Sequence, residues 1–314
     1  MKNTPFGSGQ RYGEAERREV AAVFDRDSLI YWSKFKVKEF CEKATAYFGR
    51  RYCAGGSSGS AALHAAVGAL EIPPGYEVIT SPITDMGSLI GILYQNLIPV
   101  FADVDHRTYN ITADSIRRVL TDRTRAIMVV HLAGNPCEMD EIMKLAAERN
   151  IPVIEDCAQA YDALYRGRKV GTIGDIGCFS LNESKHISCG DGGFALTDSE
   201  HYYSLLHNYL DKYYDRLGKG NRLDHVAPCY RLSELQYAVA IAQLGKLESI
   251  ISARRNLAAI LQRELAGVPG LWLPEVKPGN QSSWWFYMFR LDREVLDCDG
   301  PAFAAALNAE KIPA

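Results

Sequence analysis

No Cys-x-x-Cys pair occurs among the eight cysteines of this chain, at positions 41, 53, 137, 157, 178, 189, 229 and 298, and its seven histidines show no ligand spacing with them. The sequence therefore writes neither a zinc site nor a disulfide framework, and reduced buried thiols fit the pattern better. No apolar run is long enough to cross a bilayer, and Met1–Phe6 contains no hydrophobic leader segment, so a cytoplasmic location is the expectation. There is no basic excess either. Thirty-five Lys and Arg face 38 Asp and Glu, for a net charge of −3. That leaves no electrostatic case for nucleic acid, and pairs such as Arg117-Arg118 and Arg254-Arg255 read as solvated helix faces or local ion pairs. Dinucleotide spacing G-x-G-x-x-G is missing, as are internal repeats and low-complexity tracts.

What is present is a chain of 314 residues, 47% hydrophobic, enough for one large domain and part of a second. Short apolar runs alternate with amphipathic segments. Strands are predicted at 77–81, 98–102, 125–130, 151–155, 175–180 and 193–197, and helices at 14–24, 34–48, 60–70, 87–96, 112–120, 138–149 and 200–209. This alternation predicts an α/β fold, a three-layer α/β/α large domain around a mostly parallel sheet. Apolar residues at 232, 235, 239, 244, 247 and 251 predict one long amphipathic helix over 231–265, leading into a smaller α+β domain. The boundary falls near 245: residues 1–245 form the large domain and 246–314 a small, apparently incomplete one. Trp284–Phe289 reads as a buried strand of the small domain, and 212–222 as an exposed loop.

Three segments carry chemistry. Lys185 sits between the apolar run Gly177–Ser180 and the turn Gly190-Asp191-Gly192-Gly193. A lysine desolvated between strands is a candidate imine-forming amine, because burial favours the neutral nucleophile. About thirty residues upstream, Ile151–Glu155 ends at Asp156, at the carboxyl end of a predicted parallel strand, where open α/β sheets bind ligands. A carboxylate there can pair with a protonated pyridine nitrogen, or it can simply cap a helix. The third segment, Gly55–Ser60, reads as a Gly/Ser turn running into an Ala-rich helix, a phosphate site built from helix N-terminal amides or an ordinary capped helix. His131 ends a strand and reads as a satisfied structural histidine ahead of a cofactor contact.

Phosphate cradle, ring-nitrogen carboxylate and imine lysine, in this order, resemble the sugar aminotransferases of the DegT/StrS family, fold-type I enzymes that use pyridoxal 5'-phosphate. The resemblance runs from about Gly7 to the chain end. It rests on Ser58–Leu63, Pro99–Asp105, Val129–Pro136, Glu155–Ala160, Gly177–Ser180, Lys185 and Gly190–Gly193. It implies that Lys185 is the Schiff-base lysine and proton carrier, and that Asp156 pairs with the ring nitrogen. It further implies that Gln159 lies against the ring or its phenolic oxygen, and that Gly59, Ser60, Ala61 and Ser180 hold the phosphate. Glutamate or glutamine is the implied donor, a nucleotide-linked keto-sugar or keto-cyclitol the acceptor, and a homodimer the assembly. A dehydrating branch of the family carries histidine at the lysine position. Lys185, with His186 as a loop neighbour, favours transamination over a dehydratase or lyase. A non-catalytic protein on the same fold is a third reading.

Two positions depart from the family pattern. Asp85 stands where many members carry an aromatic over the cofactor ring, with Met86 beside it. Cys229 stands where the family often has an asparagine that reaches the partner's phosphate; nearby Arg231 and Glu234 read as an ion pair at a helix start. The chain also stops at Ala314, earlier than is usual in the family.

Overall fold

The computed structural model describes residues 11–31, 35–218 and 225–312; residues 219–222 of the predicted 212–222 loop lie outside them. Helices α1 (Glu14–Phe24) and α2 (Lys36–Phe48) lead into β1 (Tyr52–Gly56), α3 (Gly59–Ala69), β2 (Glu77–Thr80), α4 (Met86–Tyr94) and β3 (Ile98–Phe101). Next come α5 (Ala113–Val119), β4 (Thr124–Val130), α6 (Met139–Arg149), β5 (Val153–Asp156) and the small hairpin β6 (Leu164–Tyr165) with β7 (Arg168–Lys169). Strands β8 (Ile176–Ser180) and β9 (Gly193–Thr197) precede α7 (Glu200–Leu210), α8 (Glu234–Leu244) and α9 (Leu247–Leu265). The described chain closes with β10 (Leu271–Trp272), β11 (Arg290–Leu291) and α10 (Gly300–Ala309).

The central sheet has seven strands in the order β1-β9-β8-β5-β4-β2-β3. Strands β3, β2, β4, β5 and β8 run parallel, and β9 is antiparallel to both β8 and β1. Parallel strands need covering on both faces, which explains their nearly continuous apolar composition. One face packs Ile127, Val129 and Phe179 against side chains of α2, α5, α6 and α8. The other packs Val78, Met128 and Ile154 against α3, α4 and α7. This is the expected three-layer α/β/α architecture.

Several expectations are corrected. Gly55 and Gly56 are the end of β1, a strand with too little side chain to announce itself, and not part of a turn. The helix predicted over 231–265 is two helices. Lys246 breaks it, with φ −98°, as its amine turns back to Glu16 Oε1 at 2.5 Å. Trp284–Phe289 is not a buried strand. Trp284 lies in the left-handed region (φ 52°), which ends any extended run, and Phe286 is 43% exposed. Arg231 and Glu234 do not pair as a helix-start ion pair. Arg231 Nε lies 3.4 Å from Asp211, while buried Glu234 accepts the amides of Phe35 and Val37 at the start of α2.

Candidate active site

The carboxyl ends of the parallel strands open into a cavity of about 330 Å³. Gly59, Ser60, Asp156, Gln159, Ser180 and Lys185 line it together, so six of the seven predicted site residues share one wall system. Ala61 is the exception. Its amide is engaged by the Ser58 hydroxyl at 3.0 Å, and it is not among the lining residues. Ser58 is the N-cap of α3, and this capping bond uses the donor that the sequence had offered to a phosphate.

Two helices begin at this cavity. The first-turn amides of α3, at Gly59 and Ser60, have no intrahelical partner and carry the positive end of the helix dipole. Gly59 is required by space, since a Cβ there would lie 2.6 Å from the Ser180 Cβ. Helix α4 starts next door, capped by Asp85, whose carboxylate accepts the Gly87 amide at 2.8 Å. Asp85 thus has a local structural reason, and its carboxylate also faces Lys185.

Asp156 is buried at the end of β5. Its Oδ2 accepts the Ser88 hydroxyl at 2.6 Å and its Oδ1 the Ala158 amide at 3.0 Å. Burial raises its pKa, outweighing those two bonds and the charge of Lys185. Lys185 shows the converse: burial lowers its pKa against the pull of Asp156 and Asp85. Both shifts are what burial does to charged groups, and a lysine tuned downward is the better nucleophile.

The other predicted residues divide clearly. Gln159 Oε1 accepts the Ala133 amide at 2.7 Å, which fixes its amide plane at the cavity wall. His131 is a structural residue. Its Nδ1 accepts the Cys137 amide at 3.0 Å, so its proton is on Nε2, 3.0 Å from Glu155. His131, Glu155 and Cys157 lie close enough to suggest a metal, a grouping the sequence did not announce. Both imidazole nitrogens are already engaged, which leaves His131 no lone pair for an ion. His186 is buried, donates its Nε2–H to the Ser283 carbonyl at 3.2 Å, and is pushed down to about 3 by burial and by Arg254. It does not line the cavity. Cys229 is exposed, with its sulfur 3.1 Å from Arg231 Nε.

Sequence reasoning missed three contributors. Trp285 brings its ring centroid to 4.0 Å from Lys185 Nζ and donates its indole N–H to the Ser184 carbonyl at 2.8 Å. Arg254 holds the Trp284 and Trp285 carbonyls at 3.1 Å, and Arg11 holds those of Glu183, Lys185 and His186. Ser88 and Thr84 form the third group; the Asp85-x-x-Ser88 spacing of a capped helix was the available signal.

Comparison with known proteins gives this geometry a context. The family model described as the DegT/DnrJ/EryC1/StrS aminotransferase family matches residues 10–314. A UDP-N-acetyl-3-dehydro-alpha-D-glucosamine 3-aminotransferase of Acidithiobacillus ferrooxidans is 38% identical, covering 93% of this chain and 76% of that protein. A putative L-glutamine:3-amino-2,3-dideoxy-scyllo-inosose aminotransferase of Micromonospora echinospora is 36% identical, over 95% of this chain and 72% of that one. Among solved structures, the E. coli GDP-4-keto-6-deoxy-D-mannose-3-dehydratase with bound hydrated pyridoxal phosphate superposes with a TM-score of 0.89 at 27% identity, covering 96% of this chain and 82% of that chain. The residues present fit such a cofactor. A buried amine and a buried carboxylate share a cavity with a helix N-terminus whose first glycine leaves room that a side chain would fill. By the extent of the family match and of these similarities, the chain belongs to the DegT/DnrJ/EryC1/StrS family of pyridoxal-phosphate-dependent aminotransferases.

Proposed function

We propose that this protein transfers an amino group from glutamate or glutamine to the keto group of a sugar, nucleotide-linked, or of a cyclitol. The observation that carries the reading is one cavity bounded by Lys185, Asp156 and the opening turn of α3. Pyridoxal phosphate, when bound, supplies an aldehyde for imine chemistry and a ring that takes up electrons. Everything else falls to the chain. The Gly59 and Ser60 amides and the Ser60 and Ser180 hydroxyls receive a phosphate dianion. Asp156 offers a carboxylate oxygen to the ring nitrogen, and Gln159 supports the ring edge. Lys185, displaced by the donor, holds the migrating proton at Nζ, and Trp285 covers that amine.

A dehydratase is the runner-up, because such an enzyme shares the fold. Lys185 disfavours it: the dehydrating branch lacks this amine, and buried His186 is turned to the Ser283 carbonyl. The homodimer belongs to the same reading. Ile83 just before α4, Met86, Leu93 and Tyr94 on α4, and Ile98 and Phe101 on the edge strand β3 are exposed apolar residues that a second copy could cover. So do a cytoplasmic location and the division at residue 245, where α8 gives way to α9. No described helix is long and apolar enough to cross a membrane.

The test is the visible spectrum of the protein with pyridoxal phosphate, before and after glutamate or glutamine. A band that disappears with either donor, and never forms in Lys185→Ala, supports the proposal. A Lys185→Ala variant with full transamination sinks it, and a deoxy product without amine incorporation transfers the case to the dehydratase.

A further inference from the structure

We propose that Thr84 and Ser88 are positioning residues: a two-hydroxyl chain that holds the Asp156 carboxylate as a pure hydrogen-bond acceptor facing the cofactor ring. The proposal rests on the reading of the cavity as a pyridoxal-phosphate site.

The chain has a direction. Ser88 Oγ lies 2.6 Å from Asp156 Oδ2 and donates to it. Having given its only proton, that hydroxyl must accept, and the Thr84 hydroxyl lies 2.6 Å away to donate. On the other carboxylate oxygen, the donor is the Ala158 amide at 3.0 Å, which cannot reverse. Both oxygens of Asp156 are therefore met by donors, an arrangement that favours the ionised acid and leaves its remaining lone pairs to the cavity.

The device follows from an unusual residue. Asp85 caps α4 and fixes its first turn. That turn places Ser88, 1% exposed, against Asp156, while Thr84 stands half-buried on the cavity wall. An aromatic at position 85 would offer no carboxylate to the Gly87 amide. The substitution thus exchanges a ring surface for an ordered hydroxyl chain. The other charged or titratable groups around Asp156 are Lys185, from the loop after β8, His131, from the end of β4, and the buried thiols of Cys157 and Cys178, which burial keeps protonated. Lys185 becomes neutral in charge once it is an imine without its proton, and His131 is committed to Glu155. The Ser88 hydroxyl and the Ala158 amide are the contacts that persist.

A protonated ring nitrogen withdraws electrons and makes the neighbouring Lys185 nitrogen release its proton at lower pH. Without the Ser88 donor the Asp156 carboxylate is more basic and competes for the ring proton, which should reverse that. The experiment titrates the visible band of the protein loaded with pyridoxal phosphate against pH, and times the conversion of that band by glutamate in the same preparations. In Ser88→Ala the midpoint should rise by at least about half a unit and the conversion should slow roughly tenfold. Ser88→Thr should restore both, and Thr84→Val should move both in the same direction by less. An unchanged midpoint in Ser88→Ala, or a Thr84→Val protein identical to wild type, overturns the hydroxyl chain. If Ser88→Ala does not hold cofactor, Thr84→Val and Ser88→Thr decide alone. Wild-type protein without any visible band would instead overturn the reading of Lys185, a distinct outcome.

Discussion

Glu155 and Asp156 are adjacent carboxylates at the end of one strand, both buried, and they leave opposite faces of the sheet. Glu155 enters the face covered by α2, α6 and α8. Its Oε1 accepts the amides of Ile173 at 2.7 Å and Gly174 at 2.6 Å, and its Oε2 accepts Gly171 at 2.8 Å and faces His131. Every acceptor position is used. Asp156 enters the cavity under α3 and α4 with one hydroxyl and one amide, so acceptor capacity remains for a ligand. Burial pushes both acids up. For Glu155 the His131 hydrogen bond and the amides of Gly171 and Gly174 more than offset it, and the net shift is downward; for Asp156 burial wins. A fully satisfied carboxylate builds structure, whereas an under-satisfied one costs stability and is kept for chemistry.

The comparison can be broken by neutralising each acid in turn. Asp156→Asn should cut transamination by on the order of 10²–10³, the scale of losing one preorganised electrostatic contact, while leaving the melting temperature equal to or above wild type. Steady-state rates and a thermal melt on the same sample check it; a large drop in melting temperature would mean that Asp156 is structural too. Glu155→Gln should do the reverse. Its amide would turn a donor toward the backbone N–H groups of the 171–174 loop, costing about 3 kcal/mol of stability, read by denaturant titration. Activity per folded molecule should change far less than in Asp156→Asn.

The pH dependence separates the two acids further. The Glu155 pKa lies below its ordinary value of 4.5. Its contribution is therefore complete above that value and is lost as pH falls through the folded pKa. The Asp156 pKa lies above its ordinary 3.8, so its stability cost is absent below 3.8 and grows as pH rises through the folded value. Melting temperatures compared with wild type at about pH 3 and about pH 7 should show Glu155→Gln most deficient at the higher pH, and Asp156→Asn gaining there. Parallel curves for the two variants would erase the distinction drawn between the acids.

The same contrast marks what sequence reading could reach. Asp156, Lys185, Gly59 and Ser180 were legible because they stand at strand ends and a helix start, positions that apolar periodicity locates. Glu155 belongs to the same strand end, yet its role is not legible there, since its partners come from the 171–174 turn and His131. Helix α10 and the pairing of β10 with β11 were not foreseen, because α10 has no buried residue and those strands are two residues long. Trp285 was hidden differently. Its run looks like a strand, and long-range contacts fold it over the Lys185 loop: Arg254 to carbonyls 284 and 285, the Trp285 amide to Ala133 and its indole to Ser184, with Trp284 left-handed.

The mildest way to sharpen the comparison is to crowd the cavity without touching any charge. In Gly59→Ala the new methyl would meet Ser180 at 2.6 Å, and the neighbour is a β-carbon on a core strand rather than a mobile chain end. Ser180 or the α3 start must shift by roughly 1 Å to restore ordinary contact, an overpacking cost of about 1–3 kcal/mol. That shift falls where the phosphate would sit, so pyridoxal phosphate should bind roughly tenfold more weakly, a loss of about 1.4 kcal/mol, by equilibrium titration of the visible band. The rate at saturating cofactor should stay near wild type, because Asp156 and Lys185 are untouched. A large fall in that rate, with unchanged affinity, would place the opening turn of α3 in the chemistry instead of in phosphate binding.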